Sequence, residues 1–401
     1  MRCILHIGTE KTGTTLLQKW LYENRENLSA QGVALTTASE HPNNRKLAAY
    51  CMDHFDDFFR LNKVFDAAGR ERFFDGFEEK FFGEINDLEK EHDAVIFTSE
   101  HFHSRLLNYQ SVKSLRNLLG KRFSDIRVVC YFREQSRVRT SLYSTALMNL
   151  DGRRLSDFQK GIATDDPYYN YYDFFRKWED LFGFDRLCPR LFDRKHLLEG
   201  DIRIDFIKSV LPEVSVDELT FEITSANEAL TDLQALFFRS VNLSQRQYFE
   251  GAVNPALGHL KSSILNTKTS KMGARIQDPR QNRMYEDFND SNVEFFSRYF
   301  GERRNLFDRP DPIDADGETS LIKTEDFEQI LEQLLRTSGL VVLTQKEVSC
   351  LRDVVFRQYE KGALNTEEAL TILMIALRAQ PEGQIVRDKV RQLQAAMLKN
   401  D

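Results

Sequence analysis

Residues 1–15 read MRCILHIGTEKTGTT, and the fold is decided in this stretch. Cys3 to Ile7 predict a short buried strand, a glycine-containing loop follows, and TTLLQKWLYENRENL (14–28) sets Leu16, Leu17, Trp20, Leu21 and Leu28 on one side at helical spacing. A strand that enters a tight turn and leaves as a helix points backbone N–H groups and the positive helix end at one spot, which suits a phosphate or a sulfate. Gly8 and Gly13 occupy the glycine positions of the pattern G-x-x-x-x-G-K-[ST], yet Thr14 stands in its lysine slot and the nearest lysine is Lys11, inside the loop. Thr12, Thr14 and Thr15 add hydroxyl donors. Lys11 adds a mobile charge able to follow negative charge developing on a leaving oxygen.

Outward from this unit, residues 45–92 are mainly helical in pattern and lead into a second strand, DAVIFTSEHF, whose polar end begins at Thr98. A helix near 111–119 precedes the strand IRVVCYF (126–132), and REQSRVRTSLYSTALMNL resumes a helix. YYNYYDFFRKWEDLFG (168–183) is helix-like, a short strand is expected from Arg186 to Phe192, and LLEGDIRIDFIKSVLP continues as helix. Apolar strands alternating with helices predict an α/β fold with a mostly parallel central sheet covered on both faces. The stretch 238–284 has the glycine, proline and polar content of a lid or acceptor-binding segment, and MYEDFNDSNVEFFSRYF returns to helix. Proline, aspartate and glycine crowd together in FDRPDPIDADGETS, so the chain divides into a domain of 1–308, a linker of 309–320 and a helical C-terminal region of 321–401. In that last region DFEQILEQLLRTSG, VSCLRDVVFRQYEKG and the long stretch from Thr366 read as helices, and LTILMIAL (370–377) as a buried helix face.

The 401 residues, 41% of them hydrophobic, suffice for a sizeable core, and the formal charge of −7 argues against a surface built for nucleic acid. Any anion site is therefore local. Five scattered cysteines without a C-x-x-C pair signal neither a disulfide framework nor a thiolate zinc site. No apolar run approaches 18 residues and no signal-peptide core is evident, so a cytoplasmic protein without a transmembrane segment is expected, with homo-oligomerisation or peripheral membrane association through the C-terminal helices left open.

A second anion contact is offered by YFREQSRVRTSLYS: Arg133, Arg137 and Ser141 step four residues at a time and can face one polyanion if the helix begins promptly. Alternatively Arg137 and Arg139 are solvated surface charges. FTSEHFH (97–103) places a carboxylate and two imidazoles at a strand's C-terminal end, where parallel sheets hold their ligands. If the strand runs through it, Glu100 faces opposite to His101 and His103. Only one side of that choice normally enters the pocket. No further ligand spacing converges on these three residues, and no metal is expected.

Lys11-Thr12-Gly13-Thr14-Thr15 resembles the 5'-phosphosulfate-binding loop of sulfotransferases that use 3'-phosphoadenosine 5'-phosphosulfate (PAPS): a lysine, a small residue, a glycine and two threonines directly after a strand. Arg133 and Ser141, eight residues apart past the third clear strand, are similar to that family's 3'-phosphate contacts. The resemblance implies a P-loop-NTPase-like sulfotransferase fold and PAPS as sulfuryl donor. It assigns Lys11 to the bridging oxygen, Thr14 and Thr15 to the 5'-phosphate, and a histidine (cytosolic members) or a glutamate (several carbohydrate-directed members) to the general base, for which Glu100 is preferred here and His101 is the reserve. Leu16 stands where cytosolic members carry an adenine-stacking tryptophan, and KTSKMGAR (268–275) poorly matches their second 3'-phosphate segment. These departures turn the expected acceptor from aromatic or steroid compounds toward glycans or lipid-linked sugars. Arg105, Tyr168, Tyr169, Tyr171 and Tyr172 are candidates to line a sugar groove, although the tyrosines suit helix packing better; Trp20 and Trp178 read as structural. A P-loop kinase or ATPase and a catalytically inactive nucleotide-binding or association module are the rival classes.

Overall fold

Side-chain alternation splits each central strand between two apolar cores. From β1 (Arg2–His6) Cys3 and Leu5, followed by Ile7, enter one core while Ile4 enters the other. With β2 (Val33–Leu35) at the edge, β3 (Ala94–Thr98) sends Val95 and Phe97 to the first core and Ala94 and Ile96 to the second. β4 (Ile126–Phe132) likewise divides Val128, Cys130 and Phe132 from Val129 and Tyr131. A strand buried on both faces needs helices on both sides, as parallel crossovers supply. The protein is accordingly an α/β structure, with five parallel strands in the order β2-β3-β1-β4-β5. At the far edge lies β5 (Leu187–Leu191), where Pro189, opposite Cys130, is tolerated because one side of an edge strand has no ladder to feed.

The computed structural model describes residues 1–223, 230–244, 248–249, 252–253, 265, 276–311, 345–362, 364–379 and 383–397. After β1 come α1 (Thr14–Glu23) and α2 (Arg25–Ala30); α3 (Arg45–Cys51), α4 (Asp57–Leu61), α5 (Ala67–Phe73) and α6 (Phe77–Leu88) precede β3. The turn α7 (His101–Ser104) and α8 (Tyr109–Gly120) lead to β4, and α9 (Gln135–Met148) and α10 (Tyr171–Phe182) to β5, followed by α11 (Ile202–Val210). Leu17, Trp20 and Leu21 of α1 pack with Phe206, Ile207 and Val210 of α11 on one face of the sheet. Leu115 and Leu119 of α8 pack with Phe174 and Trp178 of α10 on the other. The helix after β1 and the helix after β3 thus lie on opposite faces, and the crevice at the C-terminal ends of these neighbouring strands is the topological switch point.

One local expectation changes, and one strand was not foreseen. β3 stops at Thr98, and the chain turns helically through His101–Ser104, so FTSEHFH does not alternate as a strand. The short edge strand β2 carries too few residues for its period to register in the sequence.

The described chain forms two compact units: Met1–Leu142, Leu155–Glu228 and Asp278–Ile313 in the first, Tyr143–Arg154, Ala229–Gln277 and Asp314–Asp401 in the second. The first also contains α13 (Gln281–Asp287) and α14 (Asn289–Tyr299). Within the second, Asn242 of α12 (Asp232–Ser244) donates to the carbonyls of Leu147 at 2.8 Å and Asp151 at 2.7 Å. The same unit has α15 (Gln345–Glu360), α16 (Thr366–Ala379) and α17 (Gln384–Met397), which share a core of Val348, Val355, Leu373, Val386, Val390 and Leu393. Leu373 and Ala376 bear out the buried face expected of LTILMIAL. Of the stretches singled out above, the linker from 312 onward, KTSKMGAR and DFEQILEQLLRTSG lie outside the described residues, as does most of the 245–275 part of the expected lid.

Arg139 corrects the view of it as a solvated charge. It is fully buried, ion-paired to the equally buried Asp278, and donates to the carbonyls of Leu155 and, at 2.6 Å, Phe158. Arg139→Met removes one charge and strands the other, so it is expected to cost about 3–5 kcal/mol in denaturant unfolding. The double variant Arg139→Met/Asp278→Leu should recover part of that loss.

Candidate active site

The loop after β1 is held open by backbone conformation. Gly8 has φ +101°, and a Cβ there would lie 3.3 Å from both the Glu10 amide nitrogen and the Glu100 Cα, so only glycine lets the two segments close on each other. Lys11 follows with φ 65° and Gly13 with φ 74°, where a Cβ would meet the Phe192 ring at 3.0 Å. Gly8→Ala is expected to destabilise the fold by about 1–3 kcal/mol through strain. Denaturant melts measure it.

The Gly8 carbonyl accepts from Tyr131 N at 2.7 Å and the Thr9 amide donates to Tyr131 O at 2.8 Å, which carries the β4 ladder into the loop. Thr12 is buried and its hydroxyl donates to the Thr9 carbonyl at 2.6 Å; its side chain braces the loop. Thr14 is buried at the first turn of α1 and Thr15 is exposed beside it. The α1 N terminus has no side-chain cap and no acidic residue in its first turn, leaving the positive end of the helix directed at the loop. These features fit an anion of the phosphate or sulfate type.

Arg133 Nη1 donates to the Lys11 carbonyl at 3.0 Å, tying the stretch after β4 to the loop. Burial lowers the Lys11 ammonium from its ordinary pKa; Glu10 and Glu100 oppose that shift, and Arg133 adds to it. Arg133 precedes the start of α9 at Gln135, while Arg137 and Ser141 lie on the helix, one turn apart. Arg137 is ion-paired to Asp193 at 3.6 Å, and Ser141 is half-buried. Glu134 is buried and caps α9, accepting from Ser136 N at 2.9 Å and Arg137 N at 3.0 Å, which is why the helix begins there. A cleft bordered by Arg133, Arg137, Phe192, Asp193, His196 and Asp308 opens beside these residues. A larger cavity of about 860 Å³, lined by residues including Tyr172, Phe184 and Arg298, includes none of the loop.

Across the switch-point crevice, Glu100 opens the α7 turn. Its Oε2 accepts from Gln18 Nε2 at 2.6 Å, which connects the carboxylate to α1, and His101 Nε2 stands 3.7 Å from Oε1. Burial raises the Glu100 pKa and Glu10 adds to it, while Gln18 and Lys11 act the other way. His101 is pushed down to about 4, first by burial and then by Arg45, so the imidazole is neutral and weakly basic. His103 turns away from the crevice: fully buried, its Nδ1 accepts from Glu10 N at 3.5 Å and its Nε2 donates to the Tyr168 carbonyl at 3.0 Å. With its pKa lowered to about 3 by burial, it serves as a neutral strut.

Arg105 is engaged by Asp56 at 2.8 Å and Asp57 at 3.4 Å, in a cluster that Arg45 shares. Tyr169 and Tyr171 are buried, and the Tyr171 hydroxyl donates to the Arg133 carbonyl at 2.6 Å; Tyr168 donates to Glu10 Oε2 at 2.6 Å. Trp20 and Trp178 are fully buried core residues. Gln18, Glu10 and Arg45 were not singled out in the sequence. Only the position of Gln18 one turn into the loop's own helix could have drawn notice to it. Among the described residues, no group of three or more His, Cys, Asp or Glu side chains is arranged to hold a metal. Likewise none of their helices is long and apolar enough to cross a membrane.

No family model matches the chain. An uncharacterized protein of Archaeoglobus fulgidus is 26% identical over 245 residues, and the match spans 60% of this chain and 63% of that relative's length. Among solved structures, a sulfotransferase from Alicyclobacillus acidocaldarius aligns over 61% of this chain and 93% of its own, at 14% sequence identity and a TM-score of 0.34.

Proposed function

We propose that the protein is a PAPS-dependent sulfotransferase that transfers a sulfuryl group to an acceptor hydroxyl on a glycan or lipid-linked sugar. The observation that carries this is the convergence, at one switch-point crevice, of Lys11 on a glycine-hinged loop, the uncapped N terminus of α1, and Glu100 tied to α1 through Gln18. A cation, an anion-binding helix end and a half-buried carboxylate are the groups that in-line sulfuryl transfer needs.

In this reading Thr14, Thr15 and the first amides of α1 hold the donor's 5'-phosphate, with Gly8, Thr12 and Gly13 shaping the loop. Arg133, Arg137 and Ser141 take the 3'-phosphate, Arg137 sharing its charge with Asp193. Glu100 accepts the proton of the acceptor hydroxyl as its oxygen bonds to sulfur. Lys11 donates to the bridging oxygen as the S–O bond breaks and its electron pair departs on the 5'-phosphate. His101 borders the acceptor side as the reserve base, and Arg105 orients a sugar substituent with the N–H groups that Asp56, Asp57 and the Ser104 carbonyl leave over.

Calorimetry tests the donor. Tight binding of 3'-phosphoadenosine 5'-phosphate without magnesium, against weak binding of ATP, is expected; preference for Mg-ATP would overturn the proposal in favour of phosphoryl transfer. Incubation with radiolabelled PAPS and fractionated cell-envelope glycans identifies the acceptor.

A further inference from the structure

Glu10 immediately precedes Lys11, in the position of the loop that faces the α7 turn. Two residues from two other segments, the buried His103 and the half-buried Tyr168, lock it there. The Tyr168 hydroxyl donates to Glu10 Oε2 at 2.6 Å, the Tyr168 carbonyl accepts from His103 Nε2 at 3.0 Å, and His103 Nδ1 accepts from the Glu10 amide at 3.5 Å. The His103 and Tyr168 rings lie 4.5 Å apart, which closes the triangle. At Gly8 the absent side chain brings Glu10 N and Glu100 Cα to within contact of one point. A second carboxylate is thus fixed beside the base and the cation of the crevice.

We propose that Glu10 is a positioning residue whose carboxylate, fixed by Tyr168, keeps Glu100 a competent base and Lys11 a protonated acid. This rests on the function proposed above. The charges around it come from every packed segment: Lys11 in the loop; Glu100, His101, His103 and Arg105 in and beside α7; Arg133 after β4; Tyr168 and Tyr169 before α10. Arg45 and Asp56 act through His101 and Arg105. The Glu10 charge favours the protonated form of both Glu100 and Lys11. Removing it lowers both, so the two limbs of a bell-shaped rate profile move together toward lower pH.

The test is the pH dependence of single-turnover sulfuryl transfer in wild-type protein, Glu10→Gln and Glu10→Asp. Glu10→Gln is expected to move both limbs down in pH, and Glu10→Asp, which keeps the charge, to restore them. A lower rate with unmoved limbs would make Glu10 a structural prop only. Loss of the acid limb with a fall of about 10²–10⁴-fold would make Glu10 itself the base. Either result overturns the proposal. NMR titration of the resting protein, with 13C-carboxyl glutamate and 15N-lysine assigned by Glu100→Gln and Lys11→Arg, reads the same coupling without turnover. Absence of any transfer with intact coupling would count against the proposed function alone; absence of coupling in the titration would count against the role of Glu10 alone.

Discussion

Lys11→Ala is expected to lower the single-turnover rate of sulfuryl transfer by about 10²–10³-fold, the usual cost of removing one preorganised donor from a developing oxyanion. The fall should reside in the chemical step. The backbone at Lys11 is fixed independently of its ammonium: Arg133 holds its carbonyl at 3.0 Å, and its left-handed φ of 65° is shared by any L-residue placed there. Alanine therefore keeps the loop's shape, and calorimetric affinity for 3'-phosphoadenosine 5'-phosphate should change far less than the rate. Lys11→Arg keeps the charge but replaces a mobile point donor with a planar fork, and recovers the rate only in part. Equal losses in binding and rate would instead place Lys11 in ground-state phosphate recognition and remove its role at the leaving oxygen.

Glu100→Gln is the second large effect, a fall of about 10²–10⁴-fold in the same step. The amide fills the same volume and still bonds Gln18, so the crevice persists while the proposed proton acceptor is gone. Burial with the neighbouring Glu10 holds the Glu100 pKa above the ordinary carboxylate range, which brings the base nearer to working pH. The wild-type rate is then expected to rise with pH through that elevated value, and this acid limb to vanish in the variant. The stability consequence has the opposite sense. A carboxyl whose folded pKa exceeds its unfolded one contributes most when protonated, and that contribution is lost as pH rises through the folded value. Glu100→Gln should therefore melt no lower than wild type at neutral pH. His101→Asn serves as the control: because the imidazole is held down to about 4, a loss as deep as that of Glu100→Gln would exchange the two roles.

Much of this arrangement was legible beforehand because it is local. Alternation in CILHI and IRVVCYF reports burial on both sheet faces, and GTEKTGTT reports a turn feeding a helix; neither depends on a distant partner. The FTSEHFH stretch misled in detail, since a strand period was extended past Thr98 into residues that wind into a helical turn. The turn sets Glu100 and His101 side by side and sends His103 into the core, a division that strand geometry does not give. Arg139 misled for a related reason. An arginine between polar residues on a helix resembles a solvated charge until Asp278, far along the chain, packs against it.

The sequence by itself determined the parallel sheet, the glycine- and threonine-containing loop after its first strand and the residues at its rim, since strand period, helix period and glycine placement are properties of neighbours along the chain. Only the tertiary structure decided which partner each rim residue meets. Gln18 meets Glu100 across 82 positions, Tyr168 meets Glu10 across 158, and Asp56 engages Arg105 across 49. Such pairs form because the two apolar cores bring β1, β3 and the segment before α10 to one crevice, and in that partly dry site it is the paired group that fixes a side chain's charge and direction.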